Sequence, residues 1–219
     1  MNRTITLPLV LFVFLFSACG NHEQSESTAA PTPAPRSTTS ADSVSTQEQA
    51  QELGHEEDQA NLGQKISIIA FRTKATKEER KDFEDGIVPW INLDSPEIRI
   101  ANLIEADVIV IPYEKVKLKI DYPISKPVFF HLSGAKKGFT RKQIILAISK
   151  KYHQMYDEEE KTAKIKAIPM KDRKTLANRN QTDGKYGIWG HDLSDLDLDS
   201  INVYRSADGT IVLDLDIES

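Results

Sequence analysis

The sequence predicts an α+β domain: a mainly antiparallel sheet of about six strands, one long helix packed on a face, and a C-terminal β-hairpin. Three observations predict it. Val116, Leu118, Ile120 and Tyr122 alternate with Lys115, Lys117 and Lys119, the period of a strand with one wet, basic face. Ile144, Ile145, Ile148, Tyr152 and Met155 recur at spacings of three and four, the apolar stripe of a helix. Two alternating runs, 200–205 and 210–217, flank Asp208-Gly209, a hairpin turn signal.

The elements follow in chain order. Lys65 to Arg72 is a short apolar run rich in isoleucine, read as a buried strand. Thr76 and Glu79 have capping-box spacing, so a helix is expected from there to a stop at Gly86. Ser95-Pro96 opens a second short helix with Ile100, Leu103 and Ile104 inward. Trp90, between the two, is read as core or a lid over core, with a ligand platform as the other reading. Asp107 to Ile111 is a further buried strand, ended by Pro112. The lysine-lined strand follows, then a turn over Tyr122–Lys126 and a strand over Pro127–Leu132. Thr140 and Gln143 form the capping box of the long helix, expected over 140–160, and Phe139 is placed to staple onto Ile144. Asp157 to Glu160 sit where the helix macrodipole disfavours acids, so the helix could extend toward Lys166. Residues 172–184 read as a polar loop. In the hairpin, Ile211, Leu213, Leu215 and Ile217 face inward, leaving Asp214, Asp216 and Glu218 as an acidic row on the other side. Opposed like charges destabilise a sheet, so the lysine-lined strand 115–119 is expected beside that row. Lys117 with Asp214 or Asp216 is the expected exposed pair.

Before this domain lies a different kind of sequence. Residues 1–18 read as a signal peptide: Arg3 gives the positive start, and Ile5 to Phe16 is an apolar run too short to span a bilayer comfortably. Residues 19–61 are rich in Ser, Thr, Ala, Gln, Glu and Pro, and large apolar side chains are nearly absent. Such a segment cannot offset its ordering entropy and reads as a disordered tether, about 35 Å end to end as a coil. Residues 62–219 form the single globular domain. Its roughly 155 residues suffice for a real core. Cys19 is the only cysteine among 219 residues, which excludes internal disulfides, a thiol nucleophile in the domain and cysteine metal clusters. A formal charge of −5 lacks the basic footprint of a nucleic-acid binder.

The chemistry-bearing stretch is Tyr186-Gly187-Ile188-Trp189-Gly190-His191-Asp192-Leu193. Its glycines permit positive φ or close backbone approach. Tyr186, Trp189, His191 and Asp192 form a candidate binding patch, with Trp189 as platform, His191 as acid–base and Asp192 as its orienter. The alternative is a tight turn capped by His191 and Asp192, with Trp189 plugging the core. No metal site is expected. Histidine–aspartate metal chemistry would need further ligands, and His22 and His55 fall in the tether, leaving only His131 and His153. Asp195, Asp197 and Asp199 match the start of an EF-hand loop, but Ser200 and Ser206 stand where that loop needs Gly and Glu. No HExxH, GxSxG, P-loop or GxGxxG pattern is present. The motifs therefore name no cofactor and leave the catalytic residue unassigned: a Ser–His–Asp site stays open, although no serine has an elbow context.

Leu15-Phe16-Ser17-Ala18-Cys19-Gly20 resembles the lipobox of bacterial lipoproteins. The resemblance implies that Cys19 becomes the first mature residue and carries a thioether-linked diacylglycerol and an N-acyl chain such as palmitate. Three chains make release negligible, since two signals already anchor stably. Gly20, in place of the aspartate that marks inner-membrane retention, implies the outer membrane, periplasmic or surface facing. Glu23 and Glu26 resemble a surface-export mark of some Bacteroidota lipoproteins. Ordinary secretory cleavage and an uncleaved short anchor are the rival readings. The stretches KVKLKIDYP, GFTRKQIILAISKKYHQMYDEEE, YGIWGHDLSDLDLDSINV and LDIES, over roughly 115–219, also resemble a family of uncharacterised proteins that implies a discrete domain and no substrate. The expected function is a lipid-anchored envelope binding or interaction module. It would hold the bilayer through Cys19 and take an envelope protein partner, not nucleic acid. An envelope hydrolase using His191 and Asp192 and an immunity or assembly-factor lipoprotein are the alternatives.

Overall fold

A computed structural model describes residues 62–174 and 179–219. The signal peptide, the lipidation site Cys19 and the tether 19–61 lie outside the described residues, as do 175–178 within the polar loop. In chain order the elements are β1 (Gln64–Ala70), β2 (Thr73–Lys74), β3 (Ile87–Val88), β4 (Ile91–Asn92), α1 (Glu97–Ile100), β5 (Ile109–Ile111), β6 (Lys115–Ile120), β7 (Val128–Ser133), β8 (Phe139–Thr140), α2 (Arg141–Thr162), β9 (Asp197–Arg205) and β10 (Ile211–Glu218). The fold is α+β. The main sheet runs β1-β9-β10-β6-β7, with β4 joining β9 beyond the end of β1. Its pairs are antiparallel except β10 with β6, which is parallel. Two-stranded sheets β2-β3 and β5-β8 lie apart from it.

Alternation decides which face of the sheet takes the core. Leu118 and Ile120 of β6, Ile201 and Val203 of β9, and Leu213 and Leu215 of β10 join Ile144, Ile145, Ile148, Tyr152 and Met155 of α2 in one buried cluster. Fully burying each such side chain contributes roughly 1.5–3 kcal/mol. The helix starts where the capping box places it. Gln143 N donates to Thr140 Oγ1 at 3.2 Å, and Thr140 N donates to Gln143 Oε1 at 2.9 Å. It ends at Thr162, short of Lys166.

On the opposite face the acidic row and the lysine strand are neighbours, as their charges require. Val212 of β10 lies beside Lys117 and Leu213 beside Leu118. The pair that forms is Lys119 with Asp214, at 3.3 Å, and Lys119 also reaches Asp121 at 2.7 Å. Lys119 and Asp214 are each only 1% exposed, so the expected wet face is dry at this point and the expected exposed pair through Lys117 is replaced by a buried triad. Leu62, Tyr204 and Val212 form a second small apolar cluster on this side.

Three expectations are corrected. Among the described residues the run at 65–72 is an edge strand with β9 as its one partner in the sheet, and Ile66 and Ile68 are exposed. The expected helix after Thr76 is a single 3-10 turn, Glu79–Lys81. Its capping box is made in both directions, but the sequence behind it offers Phe83 as its one large apolar side chain and so no stripe to bury. The strand at 107–111 shortens to β5, where Ile111 is buried and Val108 and Ile109 are exposed, because its partner β8 is two residues long. Trp90 is half-buried and stacks edge-on with Phe83, ring centroids 5.5 Å apart.

Candidate functional site

The last turn of α2 and the segment 179–195 build the region that holds the predicted patch. Its centre is an acid at the C-terminal end of a helix, where the macrodipole disfavours it. Glu159 is fully buried. Its Oε1 accepts from Thr182 Oγ1 at 2.6 Å and Gly184 N at 2.8 Å, and its Oε2 accepts from Tyr186 N at 2.7 Å and Gly187 N at 3.2 Å. The carboxylate thus supplies acceptors to a loop whose amides have no helix or sheet ladder to enter. Burial pushes its pKa up, but the Thr182 hydroxyl and the three loop amides outweigh that and hold it below the ordinary value. The neighbouring Glu158 accepts from Gln154, Lys185 and the Tyr186 hydroxyl, which bring its carboxyl down to about 2.

Two glycines let the loop turn. Gly187 and Gly190 have φ of +66° and +72°. A Cβ on Gly187 would stand 2.7 Å from Ser125 Oγ. The loop is stitched to the turn after β6 by Ser125 N donating to Tyr186 O and Trp189 N donating to Pro123 O, both at 3.1 Å.

The four patch residues do not all converge. Tyr186 is buried and its hydroxyl turns to Glu158 at 2.6 Å. Trp189 is 3% exposed and His191 8% exposed. Their ring centroids lie 6.1 Å apart, and the Tyr122 ring completes a triangle at 5.4 Å from Trp189 and 5.5 Å from His191. Asp192 is engaged outside that triangle. Its carboxylate binds Arg173 Nη2 at 2.7 Å and 3.0 Å and caps the following 3-10 turn reciprocally with Asp195. Tyr156 donates to His191 O at 2.9 Å while Arg179 stacks over the Tyr156 ring at 5.1 Å, and burial pushes the Tyr156 pKa well up. Chemically this is a clamp of aromatic edges, helix-end carboxylates and capped turns. Tyr122, Tyr156, Glu159 and Arg173 complete it. Of these only Glu159 left a sequence signal, an acid at the wrong end of a helix.

The aspartates that suggested calcium are spent on structure. Asp195 caps, Asp197 accepts from Asn92 Nδ2 at 3.0 Å, and burial raises both Asp197 and Asp199 from the ordinary aspartate value. Among the described residues no three His, Cys, Asp or Glu side chains group as a metal site would require. No helix among them is long and apolar enough to cross a membrane.

A second surface lies at the other end of the sheet. An open groove of about 870 Å³ runs where the Asp208-Gly209 turn meets β6 and β7. Lys115, Lys117 and His131 line it with Tyr113, Asp208 and Thr210. Lys117 Nζ sits 4.1 Å over the Phe129 ring. Among the described residues, Lys115, Lys117 and His131 pair with no carboxylate, and β7 ends the main sheet with one edge unpaired. Asp208 is already taken by Ser206 Oγ and Thr210 N, at 2.8 and 2.9 Å.

No protein family matches the chain, and no curated protein or solved structure gives a significant match.

Proposed function

We propose that this chain is a lipid-anchored binding module of the bacterial cell envelope. Cys19 carries the acyl chains, 19–61 is the spacer, and the domain from residue 62 onward presents the binding surface. The observation that carries the reading is the lipobox-like Leu15–Gly20 around the only cysteine. It is supported by the long polar stretch that separates that cysteine from β1. A binding role is favoured over hydrolysis because Asp192 serves Arg173 and a turn cap, so it does not orient His191 as an acid–base pair requires. The immunity or assembly-factor reading is the variant that the unpaired edge of β7 favours, since such an edge can accept a partner's strand.

Cys19→Ala in a bacterial host tests the anchor. The native protein should sediment with membranes and weigh more than its sequence by the mass of its acyl chains, and the variant should fractionate as soluble. Membrane sedimentation of the variant, with no acyl mass on the native protein, would remove the proposal. For binding, a partner recovered from solubilised envelope should be lost when Lys115 and Lys117 become Gln. Recovery unchanged by that pair would place binding elsewhere.

A further inference from the structure

Past the end of α2 the chain enters neither helix nor sheet until the 3-10 turn Met170–Asp172, yet its backbone is fixed. Asp183 Oδ1 accepts from Lys164 N at 2.8 Å and Ile165 N at 2.6 Å. Asn180 accepts from Ile168 N at 2.7 Å and donates to Lys166 O at 3.1 Å. Arg173 Nε donates to Ile168 O at 2.9 Å while its Nη2 holds Asp192. These bonds hold the strap by its backbone and Arg173, and leave its large apolar side chains outside. Ile165, Ile168 and Met170 are 56%, 44% and 61% exposed, three of the nine large apolar side chains exposed among the described residues. The five steps from Ile165 to Met170 span at most about 18 Å, so the three lie within one patch. Scattered exposed apolar side chains are ordinary, whereas a contiguous group marks a protein or membrane contact.

The charge around that patch is positive. Residues 161–174 carry six cations and one carboxylate, Asp172. Three further carboxylates contact the strap: Glu160 pairs with Lys166, Asp192 with Arg173, and Asp183 with the two backbone amides beside Lys164. An excess of two positive charges survives that count, on a chain whose formal charge is −5. Lys161, Lys164, Lys171 and Lys174 are exposed and make no ion pair among the described residues. Protein interfaces are depleted in lysine and enriched in aromatic rings. The strap is the reverse, with five lysines and no aromatic ring over 161–174. Lysine stems lie along apolar surface and keep the ammonium in water, which suits a side chain working at the level of lipid headgroups. We infer that the strap 161–174 is a contact of the folded domain with an anionic bilayer surface: its lysines meet the headgroups, and Ile165, Ile168 and Met170 sink between them. The inference shares with the proposed function only the bilayer and does not rest on acylation of Cys19, so the two fail separately.

The test uses the full chain with Cys19→Ala, which removes both the acylation site and the only thiol. An environment-sensitive fluorophore is then attached at Ile168→Cys, or at Ala207→Cys in the exposed hairpin turn at the other end of the sheet. Both chains share residues 1–18, so a difference between the two labels reports the strap and not the N-terminal apolar run. Vesicles of phosphatidylcholine with about one-third phosphatidylglycerol should shift the emission of the label at 168 to the blue and raise it about twofold or more. The label at 207 should stay as in buffer, and vesicles of phosphatidylcholine alone should leave both unchanged. Each lysine near an anionic surface strengthens binding about fivefold, so Lys161→Gln, Lys164→Gln, Lys171→Gln, Lys174→Gln together should raise the lipid concentration for half-response about tenfold or more. Four results would overturn the inference. One is no shift at 168 on anionic vesicles. Another is an equal shift at 168 and 207. The third is a response that survives the four lysine changes or appears equally on phosphatidylcholine alone. The fourth is a shift with poly-L-glutamate and none with vesicles, which assigns the strap to an acidic protein.

Discussion

Replacing Glu159 with Gln keeps its shape and removes its charge. The native carboxylate gives each oxygen two donors: Thr182 Oγ1 and Gly184 N on one, Tyr186 N and Gly187 N on the other. An amide has one oxygen, so its NH2 must face one of these donor pairs. The cheaper orientation turns the NH2 toward Thr182, whose hydroxyl can rotate and accept. Gly184 N is then left without an acceptor, which costs about 1–3 kcal/mol. The bonds that survive become neutral and lose part of their strength, so about 2–4 kcal/mol in all is expected at pH 7. The pH dependence has a definite sign. The folded carboxyl is held below its ordinary value, so its contribution is complete above the unfolded pKa, about 4.3, and is lost as pH falls through the folded one. Urea unfolding followed by far-UV circular dichroism at pH 7 and pH 3 measures both. The wild-type midpoint should exceed the variant's at pH 7, with an unchanged slope, and the gap should narrow at pH 3. A gap below about 0.5 kcal/mol at pH 7 would mean the four bonds contribute no net stability. A gap of the same size at both pH values would mean that charge is not what the loop amides recognise.

Other substitutions report on neighbouring features. Gly184→Ala puts a methyl 2.6 Å from Glu159 Cδ and 2.7 Å from its backbone oxygen, so about 1–3 kcal/mol should be lost, non-additively with Glu159→Gln, in the same unfolding assay. Lys119→Met leaves Asp121 and Asp214 buried without their shared cation and should cost about 3–5 kcal/mol. A double-mutant cycle of Lys119→Met with Asp214→Asn should give coupling above about 1 kcal/mol, whereas Lys117→Met with Asp214→Asn should give none. Thr140→Ala removes one half of the capping box and should lower stability by about 1 kcal/mol, read as a shift in thermal midpoint.

What the sequence disclosed was whatever repeats with the period of an element. The alternation at 115–120, the hairpin and the stripe and cap of α2 are local patterns, and each lies where its pattern puts it. Even the neighbourhood of β6 and β10 was legible, because an acidic row and a basic row imply each other. Burial was harder to read. Ile68 and Lys119 exchange their expected environments, since an edge strand has one neighbour to shelter it and a lysine in mid-sheet has several. The Glu159 clamp joins residues more than twenty positions apart through loop amides, and backbone donors carry no signature in the alphabet of side chains. For the patch, the string from Tyr186 to Asp192 placed its glycines at positive φ, but whether Asp192 turns to His191 or to Arg173 was set by residues far off in the chain.

The parallel junction of β10 with β6 also governs when the molecule can become whole. Strands β1 and β9 make one ribbon, β6 and β7 another, and β10 alone bridges them. A chain complete only as far as Gly209 would hold two ribbons with no ladder between them. The sheet closes only when residues 211–218 arrive to serve as the keystone.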